Sequence, residues 1–368
     1  MKIKTKVLWV AVVAILPIFN SCKSKKVLTE NVTEKNVAID SQQAFLDQQV
    51  ELNVIDVGVG QCIVVKFPDD KYIIYDAGNH AGSGETTYKQ IKELVPVGSE
   101  IEFLILSHTD GDHIGAAGQI INNYRVKEVV STGLEKSMIT SQNPTKSYDR
   151  LIAALTNKPP HLNYTNLNQV DSTITPGLTF EIGDAKVIFL CGWGKPPTEW
   201  NLTSPSKKLN SVSIVVKIEY KGNSVLLCGD AVGREDNAPD NSIIASEKFL
   251  LANALNYLSS NVIVAPHHGA DNASSTAFIT AVNPSYVIFS AGHKHEHPRA
   301  SAAKRYLRLV GDNKIYRTDR GDDEGQKEYA VGRIDGCKDK RGDDDIVIKL
   351  HSDQSYTVAY VNSDNTCE

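Results

Sequence analysis

The segment Ser107-His108-Thr109-Asp110-Gly111-Asp112-His113-Ile114-Gly115 packs two histidines and two aspartates into residues 108–113, and it constrains the rest of the chain. The apolar run Phe103-Leu104-Ile105-Leu106 stands just before it and predicts a buried strand. A helix is expected after His113, to about Tyr124. Strand, polar loop and helix in that order put four ionisable side chains at the exit of a rigid element, where catalytic groups usually sit. Imidazole and carboxylate together suit a first-row divalent cation. Gly111 and Gly115 let the backbone turn tightly enough for the four groups to converge. A plain helix N-terminus with Asp112 as its cap would use one of these residues, but it has no use for histidines on both sides.

Matching groups recur at later strand ends. Leu226-Leu227-Cys228-Gly229-Asp230 ends an apolar run with an acid after a glycine. Val264-Ala265-Pro266-His267-His268-Gly269 ends another with a histidine pair, and a third leads through Ser290 and Gly292 to His293, Lys294, His295, Glu296, His297 and Pro298. Seven of the ten histidines therefore fall in three loops. A carboxylate such as Asp230 can bridge two metals, and a metal pair can activate one water for an in-line displacement.

The surrounding pattern suits a sheet sandwich covered by helices. Short β-branched runs at 51–57, 62–67 and 72–75 come first, with a helix at 86–95. The stretch 130–185 is less regular, a strand is expected at 186–190 and a loop at 193–206, and a hairpin at 211–228 turns at Lys221-Gly222. A long amphipathic helix is expected at 242–259, followed by alternating strands and helices to about 316 and two tail strands at 346–350 and 356–361.

The N-terminus predicts export. Lys2, Lys4 and Lys6 precede an apolar run at 7–19, too short to span a membrane comfortably but suited to a signal peptide. Ser21-Cys22 at its end resembles a bacterial lipobox, with Phe19 and Asn20 departing from the usual residues. Cleavage before Cys22 and its acylation would tie the chain to membrane lipid at the cell envelope. The expected organisation is a lipoprotein signal peptide (1–21), a polar flexible tether (22–48), a main folded domain that carries the His and Asp loops (49–331) and a C-terminal extension (332–368) whose two strands pack on that domain. Cys62 and Cys228 sit in apolar runs and read as buried thiols, whereas Cys337 and Cys367 could pair in an exported tail. Losing the three N-terminal lysines takes the formal net charge from −5 to about −8, which disfavours a broad grip on nucleic acid but allows a local basic site. Arg299, Lys304, Arg305 and Arg308 offer such a positive helix beside the last histidine loop; a solvated amphipathic face is the plainer account of them. Nothing in the chain points to a stable protein partner.

The ordered set HxDxDH, Gly229-Asp230, Pro266-His267-His268-Gly269, and Ser290-Ala291-Gly292 followed by His297-Pro298 resembles the metallo-β-lactamase superfamily. More narrowly, the chain is similar to the exported hydrolase domain of ComEC-type competence (DNA-uptake) proteins and their free-standing relatives. Asp56-Val57-Gly58-Val59-Gly60-Gln61, Tyr75-Asp76-Ala77-Gly78, Asn210-Ser211-Val212-Ser213 and Tyr316-Arg317-Thr318-Asp319 extend the likeness over residues 50 to 325. Val59, Gln61 and the Lys294-His295-Glu296 loop depart from the family pattern.

The resemblance implies a four-layer αββα sandwich of mixed α/β (α+β) class with two divalent metal ions at one edge, Zn or Mn, with Mg a further option. His108, Asp110 and Asn210 would surround one ion, Asp112, His113 and His267 would hold the other, and Asp230 would bridge. Asp76 would orient the HxDxDH loop, and Ser213, His268, Ser290 and Lys294 would support the ligands or touch substrate. Asp110 and Asn210 stand where the wider superfamily has histidine, which makes the first site oxygen-rich and favours Mn²⁺ or Mg²⁺ there. Asp112 and His297 are the catalytic candidates, His297 protonating a leaving group or holding a phosphate oxygen. The expected function is a phosphodiesterase or nuclease acting on an anionic phosphate ester or nucleic acid. A lactam, lactone or thioester hydrolase on the same fold, and a non-catalytic envelope-binding lipoprotein, are the alternatives.

Overall fold

A computed structural model describes residues 48–78, 84–292, 294–321, 325–332 and 341–362. The signal segment, the lipobox with Cys22, His293, Cys337 and Cys367 lie outside the described residues. Within them, no helix is long and apolar enough to cross a membrane.

The first six strands are β1 (Gln49–Val54), β2 (Cys62–Lys66), β3 (Tyr72–Ala77), β4 (Glu100–Leu106), β5 (Arg125–Ser131) and β6 (Asn163–Asn166). The chain then builds a second sheet from β7 (Leu178–Ile182), β8 (Ala185–Cys191), β9 (Val215–Tyr220), β10 (Asn223–Leu227), β11 (Val262–Val264), β12 (Tyr286–Phe289) and β13 (Ile315–Arg317). It returns to the first sheet with β14 (Ile346–His351) and β15 (Tyr356–Tyr360). The sheet orders are β15-β14-β1-β2-β3-β4-β5-β6 and β13-β12-β11-β10-β9-β8-β7.

Alternation along the strands sends one set of side chains between the sheets. Leu52, Ile63 and Ile348 from the first sheet meet Val187, Val216 and Ile218 from the second there, all buried. The outer face of the first sheet packs Ile74 and Leu104 against Ile91, Ile120 and Leu151 on helices Glu85–Leu94, Ala117–Asn123 and Lys146–Thr156. The outer face of the second packs Leu226 and Ile263 against Leu250, Phe278 and Ala303 on helices Ala245–Asn253, Thr276–Val282 and Ala300–Tyr306. Helix, sheet, sheet and helix give the four-layer αββα sandwich that the motif order implied.

Several elements differ from the sequence expectation, each through a tertiary bond. The helix expected through 113–124 breaks in two because Ala116 N donates to Ala77 O (2.7 Å). The helix expected at 242–259 starts only at Ala245, because Ile244 N is drawn to Gly233 O (2.8 Å), and it restarts as Leu255–Leu258 after the kink at Ala254. Leu255, read as part of its apolar side, is 55% exposed. Pro205 at the first turn and Ser204 as cap start a helix, Pro205–Ser211, inside what reads as a loop. Asn210 therefore sits on a helical last turn, and the following strand begins only at Val215. The tail strand β14 lies inside the first sheet, pairing with β1 on one side (Leu52 opposite Ile348) and β15 on the other.

Candidate metal centre

The polar loops after β4, β10, β11 and β12 meet at one edge of the sandwich, and buried hydrogen bonds aim their side chains. Asp76, wholly buried in β3, accepts from Ser107 N on Oδ1 (2.7 Å) and from Ser107 Oγ on Oδ2 (2.8 Å). Its Oδ2 also receives His113 Nδ1 at 2.8 Å. A carboxylate accepts only, so the His113 proton is on Nδ1 and Nε2 carries the lone pair. Ser107 Oγ gives its proton to Asp76, so it accepts from His108 Nδ1 (3.0 Å), leaving His108 Nε2 as a lone pair too.

The Pro266–Gly269 turn follows β11 with His267 and His268 both at positive φ (52° and 55°). Such backbone is costly for residues other than glycine and concentrates at functional sites. His268 Nδ1 donates to Ser290 O (2.6 Å), and His267 Nδ1 meets Asn272 Oδ1 (2.7 Å). Both bonds put the ring proton on Nδ1, so four imidazoles in their neutral form turn acceptor Nε2 atoms to one space.

Asp230 stands in the middle of them, its backbone N donating to Ser213 Oγ (3.1 Å). Its Oδ1 faces His113 Nε2 (3.3 Å) and His268 Nε2 (3.5 Å), and its Oδ2 faces His267 Nε2 (3.6 Å) and His108 Nε2 (3.8 Å). Asp112 Oδ2 is 3.9 Å from His268 Nε2, and Asp110 Oδ2 is 3.7 Å from His108 Nε2. Asn210 Nδ2 reaches Asp230 Oδ2 (3.3 Å) and His267 Nε2 (3.1 Å). The structure thus sets His268, rather than His267, beside Asp112 and His113, and it sets His267 with Asn210 on the other side of Asp230. Asp110, rather than Asp112, caps the helix Gly111–Ile114, and its side chain makes no capping bond.

This donor set fits a cation. His108 Nε2, Asn210 Oδ1 and Asp230 Oδ1 are buried with no hydrogen-bond partner, an arrangement that is costly unless something positive completes it. His108, His113 and Asp230 form one group with ligand atoms mutually within 4.8 Å, and Asp112, His113 and His268 form another. Protonation behaves accordingly. Burial pulls the His113 pKa down, but Asp230 and Asp76 outweigh it and hold it well above the usual histidine value. Burial raises the Asp230 pKa, but His113, His268 and His267 hold it well below the usual carboxylate range. Both directions mark a spot that demands positive charge.

The site opens on a cleft of about 1210 Å³ lined by Asp110, Asp112, Asp230, His267, His268 and His297, among others. The His297 ring lies 5.9 Å from that of His267 and stacks 6.3 Å from that of His268. Burial, with His267 and His268 beside it, holds the His297 pKa well below the usual value, so its imidazole is neutral. Of the basic helix expected there, Arg299 and the first turn reach the cleft, as does Lys294 from the loop before it, but Lys304, Arg305 and Arg308 do not line it. Arg305 is buried on Asp271 and Ser274 O, and Arg308 pairs with Asp240. The cleft's other cations, Lys136, Lys146 and Lys327, come from segments that carry no sequence motif. Ser107 and Asn272 were likewise missed, since a serine or asparagine that orients a neighbour carries no spacing signal.

The sequence model of the Metallo-beta-lactamase superfamily matches residues 55–293, well over half of the chain, which carry strands β2 to β12 and the loops of His108, Asp230 and His268. The chain belongs to the metallo-β-lactamase superfamily. Members are generally hydrolytic, and the fold typically binds divalent metals, in keeping with the His and Asp groups above. The chain is 22% identical over 300 residues to ComE operon protein 3 of Bacillus subtilis (strain 168), covering 77% of this chain and 33% of the relative. It is 25% identical over 244 residues to Recombination protein 2 of Haemophilus influenzae, covering 66% and 24%. It is 28% identical over 147 residues to Competence protein ComA of Neisseria gonorrhoeae, covering 38% and 19%. The match thus spans a third or less of each relative's length, and the ComEC-type resemblance of the motifs agrees with these matches. Among solved structures, a CmlA beta-hydroxylase E377D mutant aligns with TM-score 0.41 at 13% identity, covering 74% of this chain and 52% of that one. Zn(2+)-bound PqqB from Methylobacterium extorquens aligns with TM-score 0.35 at 12% identity, covering 58% and 71%.

Proposed function

We propose that this chain is a two-cation phosphodiesterase held at the cell envelope by a lipid on Cys22. The observation that carries the reading is Asp230, one buried carboxylate with two imidazole Nε2 atoms facing each oxygen. His108, Asp110, Asn210 and His267 would hold one divalent cation, and Asp112, His113 and His268 the other, with Asp230 between them. The oxygen donors of Asp110 and Asn210 favour Mn²⁺ or Mg²⁺ in the first position, and the second suits Zn²⁺ or Mn²⁺. Such ions, when bound, supply water activation and offset the charge that develops on phosphorus oxygens.

The chain's own residues do the rest. Asp112, whose carboxylate opens on the cleft, would take the proton of the attacking water. His297 enters as a neutral imidazole, suited to donating an N–H bond to a phosphate oxygen, and the leaving oxygen takes its proton from water. Asp76 and Ser107 hold the His108 and His113 rings in the tautomer that the reaction needs. Relatives named for competence and recombination favour nucleic acid as the substrate. Lys2, Lys4 and Lys6, the apolar run and Ser21-Cys22 support extracytoplasmic placement.

The test is hydrolysis of bis(p-nitrophenyl) phosphate and single-stranded DNA by the full-length chain with Mn²⁺, Mg²⁺ or Zn²⁺, beside Asp112→Ala and His268→Ala. Metal-dependent cleavage lost in both variants supports the reading. Cleavage of a lactam, lactone or thioester instead replaces it with another hydrolase. Bound metal without turnover on any ester leaves an envelope-binding lipoprotein.

A further inference from the structure

The wall of the cleft formed by residues 135–147 is built around one buried acid. Glu135 is 1% exposed. Its Oε2 accepts from Ser137 N (2.5 Å) and its Oε1 from Thr145 N (3.2 Å), so a single carboxylate closes both ends of the intervening loop. Thr145 then caps the helix Lys146–Thr156 through Tyr148 N (3.2 Å). The consequence is that Lys136, half-buried, and Lys146, exposed, stand on the same lip of the cleft with Thr145 and Ser147. Ser147 in turn lies against the HxDxDH loop, its Oγ 3.5 Å from where a Cβ on Gly111 would be.

Among the described residues, neither the Lys136 nor the Lys146 ammonium makes an ion pair or hydrogen bond. Other lysines do otherwise: Lys207 pairs with Glu235 and Asp236, and Lys221 with Asp184. The cleft's acids away from the metal ligands are already matched, Asp236 by Lys207 and Asp271 by Arg234 and Arg305. Uncompensated positive charge therefore gathers on this lip, in a cleft that Lys327 also lines. At about 1210 Å³ the cleft exceeds the roughly 300–1,000 Å³ of small-molecule sites. No Phe, Tyr or Trp lines it among the described residues, so a base there would meet only imidazole or guanidinium planes.

On the phosphodiesterase reading above, we propose that Lys136 and Lys146 form a phosphate subsite beside the metal edge. It takes the backbone phosphates that flank the scissile bond, so the enzyme reads its substrate as a phosphodiester strand, through its backbone and without base preference. Glu135 is the positioning residue that holds the two lysines together.

The test compares the full-length chain, loaded with Mn²⁺, with its Lys136→Ala/Lys146→Ala and Lys136→Arg/Lys146→Arg forms on bis(p-nitrophenyl) phosphate and a 12-nucleotide single strand. The alanine pair is expected to raise KM for the strand about tenfold relative to the small diester, and to lower the slope of log KM against log salt by about 1.4, roughly 0.7 per lost phosphate contact. The arginine pair restores the slope. Equal loss on both substrates, or an unchanged slope, overturns the subsite while leaving the phosphodiesterase reading intact. If the native chain cleaves neither substrate, that reading falls, and fluorescence anisotropy of the labelled strand still decides the subsite. Binding whose salt slope drops in the alanine pair upholds it, and binding that is absent or indifferent to the lysines overturns it.

Discussion

His113 Nε2 and His268 Nε2 lie 3.2 Å apart, and because Asp76 and Ser290 O take the protons of the opposite ring nitrogens, two neutral rings here turn lone pairs toward each other. Two acceptors at that distance repel unless a cation or a proton lies between them. His268→Ala should therefore cost the ion shared with Asp112 and His113, and His267→Ala the ion on the other side of Asp230. Native mass spectrometry of the metal-loaded chain is expected to show one ion lost in each variant. Full stoichiometry in His268→Ala would refute this division of labour.

Asp76→Asn keeps the size of the side chain but replaces an acceptor that serves both Ser107 Oγ and His113 Nδ1. The His113 ring loses the bond that fixes its tautomer. Metal affinity, measured by chelator competition, should fall about 10–100-fold, the range for loss of a ligand's supporting partner, with little change in the fold by circular dichroism.

Gly78 follows β3 where the backbone of Asp112 crosses it, and a Cβ there would sit 2.2 Å from the Asp112 carbonyl carbon. That neighbour is backbone and cannot swing away. Gly78→Ala should lower stability by about 1–3 kcal/mol in denaturant titration, the cost of overpacking, and should weaken metal binding by shifting Asp112.

Asp345 Oδ1 accepts from Asp56 N (2.6 Å), which ties the tail to the loop of Gly58 and Gly60. Burial, offset in part by that bond and reinforced by Glu93, Asp343 and Asp344, raises its pKa from 3.8 to about 6. A raised carboxyl binds its proton more tightly when folded, so its contribution to stability is present below about pH 4 and is lost as pH rises through 6. Asp345→Asn removes that loss and keeps the acceptor. The variant should match the native chain near pH 4 and exceed it above pH 6 by on the order of 1 kcal/mol, after allowance for the side chain's partial exposure. A constant difference across this range in urea titrations would contradict the assignment.

The ligand loop was legible in the sequence because strand, HxDxDH and helix are adjacent in the chain, and local periodicity reports adjacent residues. The same holds for Asp230 at the end of the β10 run and for the paired sheets, whose alternating apolar positions mark a two-sided core. Tertiary structure alone decided which of His267 and His268 faces which oxygen of Asp230. Neighbours in one turn have no distinguishing spacing, and their rings are aimed by Asn272 and Ser290, which are distant or unpatterned in sequence. Tertiary bonds also put Asn210 on a helix, turned Arg305 inward to Asp271, and brought Lys136 and Lys146 to one lip through Glu135. The sequence by itself determined the types of chemical group and the layers that carry them. Their orientation rested on hydrogen bonds closed between distant segments, and no local pattern records where such bonds close.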